Sequence, residues 1–357
     1  MGAPHPPPRT RRRVYVRALT LLRLLLAGEA IARLLVPEAA LSPYQPVYRP
    51  DPVAGYTLQP GFRGHAFGTR LEANSLGFRG PEWSRAKPPG TVRIALIGDS
   101  HAFAFGVPFE HSVGEVLARR LESATGRRHE VLNFALPGFN SAQQLAVLRA
   151  HALAYAPDLV LVLPCSNDHE RPLWADEEGW LHWAPADELP AETTRVDGDP
   201  FIPPPRLALL AHCRLYMYAK LVWTRHRRAR AIAAQTAATR EEPWLPPLPA
   251  SAATPSHLVP AVEEPLVAMA DECRARAIPI VFALFSAPTG YRLLARNLAE
   301  RTGAPVLELL ALFPEVTSWH DLLVRFGLGW DSHLNAEAHE RWAHALAELI
   351  TERGLLR

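Results

Sequence analysis

The stretch TVRIALIGDS, residues 91–100, is a short apolar run that ends in small polar residues. Four similar runs follow it, separated by longer stretches with helical spacing of Leu, Val and Ala. This alternation is typical of a parallel sheet whose strands are joined by crossover helices. The predicted strands span residues 92–97, 130–134, 159–163, 279–284 and 305–309. The sequence therefore predicts an α/β fold, a doubly wound three-layer α/β/α sandwich with a five-stranded parallel sheet.

The segments between the apolar runs predict the helices of the sandwich. Helical spacing covers residues 113–123, 142–155, 261–276 and 291–301. Asn335 is a typical cap for the start of a last helix, with Glu337 in its first turn and Gly354 after its end.

Two regions do not fit this alternation. Residues 37–90 are rich in Pro, Gly and aromatic residues, and we interpret them as an irregular extension that packs on a domain formed by residues 91–357. An insertion at about 169–260 interrupts that domain and contains tryptophans, acidic residues, a proline run and a predicted helix over 206–238. We expect the insertion to cover one edge of the domain.

A cluster of arginines lies on the predicted helix of the insertion, formed by Arg225, Arg227, Arg228 and Arg230. Such a cluster can bind phosphate or lipid headgroups, or it can be an ordinary solvated face. No interleaving of aromatic residues accompanies it, and this favours the solvated face.

The bulk composition limits the classes of function. The chain has 357 residues, and its 48% hydrophobic content can fill a sizeable core. The formal net charge is only +2, so the overall charge does not indicate a nucleic-acid partner. The cysteines Cys165, Cys213 and Cys273 lie far apart without metal-ligand spacing, which argues against a disulfide framework or a zinc site.

The N-terminal segment, residues 1–36, has features of a membrane anchor. Basic residues precede a leucine-rich stretch over 14–36, which as a helix would be about 35 Å long, enough to span a bilayer. Charged residues interrupt this stretch on several sides, namely Arg17, Arg23, Glu29 and Arg33. We favour a signal anchor that ends at Pro37, with the rest of the chain outside the cytoplasm. The alternative is a buried N-terminal helix.

Polar residues with catalytic potential follow the predicted strands. In a doubly wound sheet, active sites lie beyond the carboxyl ends of the strands. Ser100 follows the first strand at the start of a helix, where its main-chain N–H can face a developing oxyanion. Gly138 follows the second strand and Asn167 the third, and both can donate hydrogen bonds to such an oxyanion. Each residue type is also common in ordinary turns and caps.

Residues 330–335 offer an imidazole with a carboxylate two residues before it. His333 could act as a general base, and Asp331 could orient its ring. His339 lies inside the last predicted helix, and we interpret it as structural.

These four segments resemble the conserved blocks of the SGNH (GDSL-type) hydrolase family, named for serine, glycine, asparagine and histidine. The resemblance covers about residues 91–168 and 261–356, and the segment 74–80 is similar to the lead-in of the membrane-anchored branch. It implies the flavodoxin-like SGNH hydrolase fold.

The resemblance also implies roles for individual residues. The catalytic triad would be Ser100, His333 and Asp331. The oxyanion hole would be formed by Ser100, Gly138 and Asn167. The chain departs from the family pattern at Cys165, where the third block usually has glycine, and in the spacing of two residues between the aspartate and the histidine.

The function implied by the resemblance is a serine esterase that hydrolyses or transfers a small acyl group, without a metal or cofactor. The expected substrate is an O-acetyl-type ester on a carbohydrate, met outside the cytoplasm at a cell envelope. The alternative is a non-catalytic carbohydrate-binding or envelope-assembly protein that keeps the fold. Loss of Ser100, Asn167 or His333 would favour this alternative, and all three are present.

Overall fold

A computed structural model describes residues 9–36, 47–179, 181–183, 195–196, 213–238, 245, 248, 253–285, 289–329 and 331–356. The strands are β1 Tyr48–Asp51, β2 Gly55–Leu58, β3 Arg63–Ala66, β4 Thr69–Glu72, β5 Val92–Gly98, β6 His129–Asn133, β7 Leu159–Leu163, β8 Leu173–Ala175, β9 Leu181–Trp183, β10 Arg195–Val196, β11 Ile280–Leu284 and β12 Val306–Glu308. The helices are α1 Arg9–Leu35, α2 Ser100–Phe103, α3 Val113–Thr125, α4 Ser141–Ala150, α5 Arg214–Ala238, α6 Glu264–Arg274, α7 Thr289–Thr302, α8 Trp319–Phe326 and α9 Ala336–Glu352.

The central sheet has five parallel strands in the order β12-β11-β7-β5-β6. Each predicted strand of the sandwich is present, with ends that differ by at most one residue. Every residue of β5, β7 and β11 is buried, as expected for central strands covered by helices on both faces. The predicted α/β fold class is confirmed.

The helices form two groups around this sheet. Helix α3 packs against α9 and β6, whereas α4 packs against α6, and α6 packs against α7. Crossovers between parallel strands are right-handed as a rule. Because the chain moves in one direction along the sheet from β5 to β6 and in the other from β6 to β12, the rule places the two groups of helices on opposite faces of the sheet. The strand order reverses between β5 and β7, so the crevice where ligands bind in doubly wound folds lies at the ends of these strands.

The predicted helices are present with local differences at their ends. The helix expected over 142–155 ends as an α-helix at Ala150 and continues as a 3₁₀ turn over Ala152–Tyr155. A π-helical turn over Val259–Glu263 precedes α6. The cap of the last helix is confirmed, since the Asn335 side chain accepts a hydrogen bond from the main-chain N–H of Ala338.

The extension before the sandwich is not irregular, which corrects the expectation for residues 37–90. Its described part contains two antiparallel hairpins, β1–β2 and β3–β4. Each strand has only four residues. Strands this short show too few alternations for the period of two to emerge from the sequence.

Arg79 connects this extension to the loop after α2. Its buried guanidinium donates hydrogen bonds to the carbonyl oxygens of Phe103 (2.9 Å), Ala104 (2.8 Å) and Val107 (2.7 Å). Ala104 has φ 62°, a left-handed conformation that costs a non-glycine residue roughly 1–2 kcal/mol. Burial lowers the pKa of Arg79 to about 10, so the guanidinium stays charged at neutral pH. Arg79 thus holds a strained turn in place.

We expect Arg79→Met to lower the free energy of unfolding by about 2–4 kcal/mol, because it leaves buried carbonyl groups without a donor. Arg63→Met is the matched control, since Arg63 is exposed on β3, and its effect should stay within about 0.5 kcal/mol. Urea unfolding of the two variants measures both values. Equal midpoints for Arg79→Met and the wild type would contradict this account of the turn.

Helix α1 covers Arg9–Leu35, and its residues 13–27 are all exposed, so the alternative of a buried helix is wrong. The exposed side chains include Val14, Leu21, Leu24 and Leu26. Within the described ranges, no helix is both long and apolar enough to cross a membrane. Anchoring of residues 1–36 in a membrane and an extracytoplasmic domain stay predictions.

Glu29 joins α1 to α5. Its carboxylate accepts hydrogen bonds from the main-chain N–H groups of Leu215 (2.9 Å) and Arg214 (3.2 Å) and from the Cys213 thiol (3.2 Å). The N–H groups at a helix start lack intrahelical acceptors. The hydrogen bond from Leu215 is the largest of the effects that lower the pKa of Glu29 to about 2. Glu29 therefore caps α5, which explains one charge inside the leucine-rich stretch.

The insertion contributes the antiparallel sheet β10-β9-β8 and helix α5, which packs against α1 and α8. Its predicted helix begins at Arg214, and residues 206–212 lie outside the described residues. Arg227 and Arg230 are exposed, and the Arg227 guanidinium lies 4.8 Å from the ring centre of Trp223. The side chain of Arg228 lies outside the described part. The exposure of Arg227 and Arg230 fits a solvated face, whereas Arg225 is half-buried.

Candidate active site

Ser100 stands at a sharp turn from β5 into α2. A Cβ at Gly98 would lie 2.6 Å from the Ala102 Cβ and 2.8 Å from the Leu163 carbonyl oxygen, so only glycine fits this crossing. Asp99 caps α2, and its carboxylate accepts a hydrogen bond from the His101 N–H (3.0 Å). The strand, the glycine and the cap together fix Ser100 at the carboxyl edge of the sheet.

His333 reaches Ser100 from the loop before α9. The Ser100 hydroxyl donates a hydrogen bond to His333 Nε2 at 2.7 Å. This distance lies within the range in which a general base can remove a proton. The predicted convergence of these two side chains is therefore observed. It joins residues 233 positions apart in the chain.

Asp331 holds the other side of the imidazole. His333 Nδ1 forms a hydrogen bond with Asp331 Oδ1, and the same oxygen accepts from the main-chain N–H of His333 at 3.2 Å. A carboxylate that accepts from the N–H two residues later forms an Asx turn. The spacing of two residues thus lets one turn place the carboxylate beside the ring that follows it.

Two aromatic rings pack around the His333 imidazole. The Phe105 ring is stacked on it with centres 4.4 Å apart and an angle of 28°. The His101 ring lies 4.8 Å away. Burial is the main cause that lowers the pKa of His101 well below its usual value, so His101 is neutral at pH 7. The imidazole of His333 is held without a competing positive charge from His101.

Gly138 lies on the loop after β6 with φ 87°, a conformation that favours glycine. A Cβ at this position would lie 2.8 Å from Leu173 Cδ1. Among the described residues, the main-chain N–H groups of Gly138 and Ser100 have no hydrogen-bond acceptor. Both N–H groups are thus available to a ligand.

Asn167 follows β7, and its side chain lies near Asp99, where it opposes the rise that burial causes in the pKa of Asp99. An oxygen of the Asp99 carboxyl group also lies 3.2 Å from the Ser100 hydroxyl, whose single proton is donated in the shorter contact with His333. Asn167 and Ser100 thus both lie beside Asp99.

Two buried carboxyl groups beneath the site, Asp99 and Asp168, were not predicted from the sequence. Burial raises the pKa of Asp99, and burial together with the nearby Asp99 raises the pKa of Asp168 well above its usual range. Gln144 donates to Asp168 at 2.9 Å and ties the loop after β7 to α4. Asp99 directly precedes Ser100, and Asp168 directly follows Asn167. The sequence does not show whether a polar residue just after a strand is buried or exposed.

Two other residues have structural roles. Cys165 is buried and continues the pairing of β7 with β11 through a bridge to Phe285, and burial raises the pKa of its thiol well above its usual value. His339 is buried in α9 and accepts a hydrogen bond from the main-chain N–H of Val113 (3.3 Å). Burial lowers the pKa of His339 to about 3. The structural interpretation of His339 fits this environment.

No protein-family model and no curated protein matches the chain. Solved structures with a related arrangement of elements include a lipolytic protein of the G-D-S-L family from Desulfitobacterium hafniense (13% identity, 72% of this chain and 99% of that chain covered, TM-score 0.39). A second is a psychrotrophic esterase from Pseudoalteromonas (14% identity, 73% of this chain and 97% of that chain covered, TM-score 0.40). A third is a variant of an acetyl-xylooligosaccharide esterase from Geobacillus (13% identity, 74% of this chain and 94% of that chain covered, TM-score 0.40). Similarity of this degree assigns neither a family nor an activity to the chain.

Proposed function

We propose that this protein is an SGNH-type serine esterase in which Ser100 is the nucleophile, His333 the general base and Asp331 the residue that orients it. The single observation that carries the proposal is the hydrogen-bonded series from Ser100 Oγ through His333 to Asp331. A nucleophile bonded to a base that a third group orients is the arrangement that activates a serine hydroxyl.

The reaction proceeds by acyl transfer in two steps. Ser100 Oγ attacks the ester carbonyl carbon while its proton moves to His333 Nε2. The tetrahedral intermediate expels the alcohol, which takes that proton, and leaves an acyl-serine. Water then attacks the acyl carbon, with His333 as base, and the acid leaves as Ser100 regains its proton. A second alcohol in place of water would make the protein an acyltransferase.

The developing negative charge on the carbonyl oxygen needs donors fixed in advance. In this proposal they are the main-chain N–H groups of Ser100 and Gly138 and the side-chain amide of Asn167. The available N–H groups support this assignment. One such donor contributes roughly 3 kcal/mol to lowering the barrier.

For the substrate, we propose a small acyl ester on a carbohydrate. The insertion supports this with an aromatic side chain: Trp174 of strand β8 is half-buried, and it follows Leu173, which packs against Gly138. Trp174 is stacked on His182 with ring centres 4.9 Å apart. Partly exposed aromatic rings suit sugar rings, which offer apolar faces and polar edges.

Hydrolysis of 4-nitrophenyl esters by the purified protein tests the proposal. We expect kcat/KM for the acetate to exceed that for the octanoate by about tenfold or more, because each added methylene that finds no complementary surface costs binding. Acetylated xylan oligosaccharides should release acetate.

Ser100→Ala is the control for both ester substrates. A folded protein that hydrolyses none of these esters would contradict the esterase proposal and favour a carbohydrate-binding role. A higher kcat/KM for the octanoate would contradict only the proposal that the acyl group is small.

A further inference from the structure

Tyr56 of the N-terminal extension contacts the loop that carries Gly138. Its hydroxyl donates a hydrogen bond to the main-chain oxygen of Pro137 at 2.6 Å. Tyr56 is fully buried on β2, a strand that lies outside the parallel sheet. The extension therefore reaches the candidate oxyanion hole directly.

The contacted carbonyl and the Gly138 N–H belong to one peptide unit. This unit is planar and trans, so its C=O and N–H point in opposite directions. A hydrogen bond that fixes the Pro137 oxygen consequently fixes the direction of the Gly138 N–H. Glycine rotates easily about its own backbone bonds, and the peptide before Gly138 needs such an external constraint.

The surroundings make Tyr56 a rigid donor. Its ring packs against the ring of Phe139, the residue after Gly138, with centres 5.0 Å apart. It also packs against the ring of Tyr48 in the same hairpin, with centres 5.2 Å apart. Gln143, at the start of α4, donates hydrogen bonds to the carbonyl oxygens of Ala54 (2.6 Å) and Leu173 (2.9 Å). The hairpin is thus fastened to the Gly138 loop by Tyr56 and to the start of α4 by Gln143.

We propose that Tyr56 is a positioning residue that aims the Gly138 N–H at the oxyanion. This inference rests on the proposed esterase function. It makes the first hairpin of the extension part of the catalytic apparatus, although Tyr56 itself does not touch the substrate. Its hydroxyl acts through the Pro137–Gly138 peptide.

Tyr56→Phe tests the inference, because it keeps the ring and its packing and removes only the hydroxyl. We expect kcat for 4-nitrophenyl acetate to fall about five- to twentyfold, with KM within about twofold. Removal of an oxyanion donor itself costs about 10²–10³ in kcat, and a misaimed donor should cost less. The rate of inactivation by a fluorophosphonate should fall by a similar factor, since phosphonylation uses the same donors.

Tyr155→Phe is the matched control, since it removes the hydroxyl of a buried tyrosine that lies in the 3₁₀ turn after α4, outside the hairpin and the Gly138 loop, and its kcat should match the wild type. Replacement of Tyr56 by 4-aminophenylalanine restores a donor and should recover a large part of the lost kcat. If Tyr56→Phe does not fold, the kcat of the 4-aminophenylalanine variant can still be compared with that of the wild type.

The outcomes separate the two proposals. Unchanged kcat in Tyr56→Phe, a change in KM alone, or no recovery with 4-aminophenylalanine would overturn the role of Tyr56 while the esterase function stands. A folded wild-type protein that neither hydrolyses esters nor reacts with the fluorophosphonate would overturn both.

Discussion

Ser100→Ala is expected to lower kcat for 4-nitrophenyl acetate by a factor on the order of 10⁶. The reason is that the acyl group has no other acceptor positioned against His333. The variant should keep its fold, because the Ser100 side chain contributes only its contacts with Asp99 and His333. Initial rates and circular dichroism measured on the same preparation check both statements.

Ser166→Ala is the matched control for this loss. Ser166 follows β7 at the same edge of the sheet. Its contact with His169 is made by its main-chain oxygen, which the substitution keeps. Its kcat should stay close to that of the wild type. A Ser100→Ala protein that retains more than about a tenth of the wild-type rate would show that another group is the nucleophile.

His333→Ala is expected to lower kcat almost as far as Ser100→Ala, because nucleophile and base act as a unit. The alternative base in reach is Asp99, whose carboxylate lies 3.2 Å from the Ser100 hydroxyl. This distance is at the upper limit for a general base, and the Asp99 carboxylate is held in place by the His101 N–H as the cap of α2. We therefore expect Asp99 to replace His333 poorly.

The measurement is kcat for 4-nitrophenyl acetate across a pH series. His344→Ala serves as the control, since His344 lies on the exposed side of α9 and pairs with Glu348. Its kcat should be unchanged. A loss of less than about a hundredfold in His333→Ala would contradict the role of His333 and point to Asp99 as the base.

The sheet was predictable because its strands are buried on both faces. Such strands are continuous apolar runs, and β7 (LVLVL) has no polar residue to break the pattern. The hairpins of the extension were not predictable in this way. In β3 (RGHA) and β4 (TRLE), polar residues alternate with small or apolar ones over too short a stretch.

The placement of the site residues was predictable because parallel strands end at one edge. Ser100, Gly138 and Asn167 follow three neighbouring strands, so the strand order alone brings their loops together. The contacts that support them were not predictable. Tyr56 and Arg79 act on main-chain oxygens of residues far along the chain, and hydrogen bonds to the main chain leave no mark in the side chains of their partners.

The charges inside the leucine-rich stretch also had a structural cause that the sequence did not reveal. Glu29 counts against a membrane span when the segment is considered alone. In the structure its carboxylate caps α5, which begins 185 residues later in the chain. A long-range cap of this kind depends on the packing of α1 against α5.

Reaction of the wild-type protein with a fluorophosphonate, followed by peptide mapping in a mass spectrometer, tests the central claim most directly. An unassisted serine hydroxyl is a weak nucleophile, so fast phosphonylation requires a positioned base and donors for the developing charge. We expect one adduct, on Ser100, and none on Ser112 or Ser141, which serve a helix cap and a buried hydrogen bond. A folded protein that gives no adduct, or an adduct on another serine, would contradict the account.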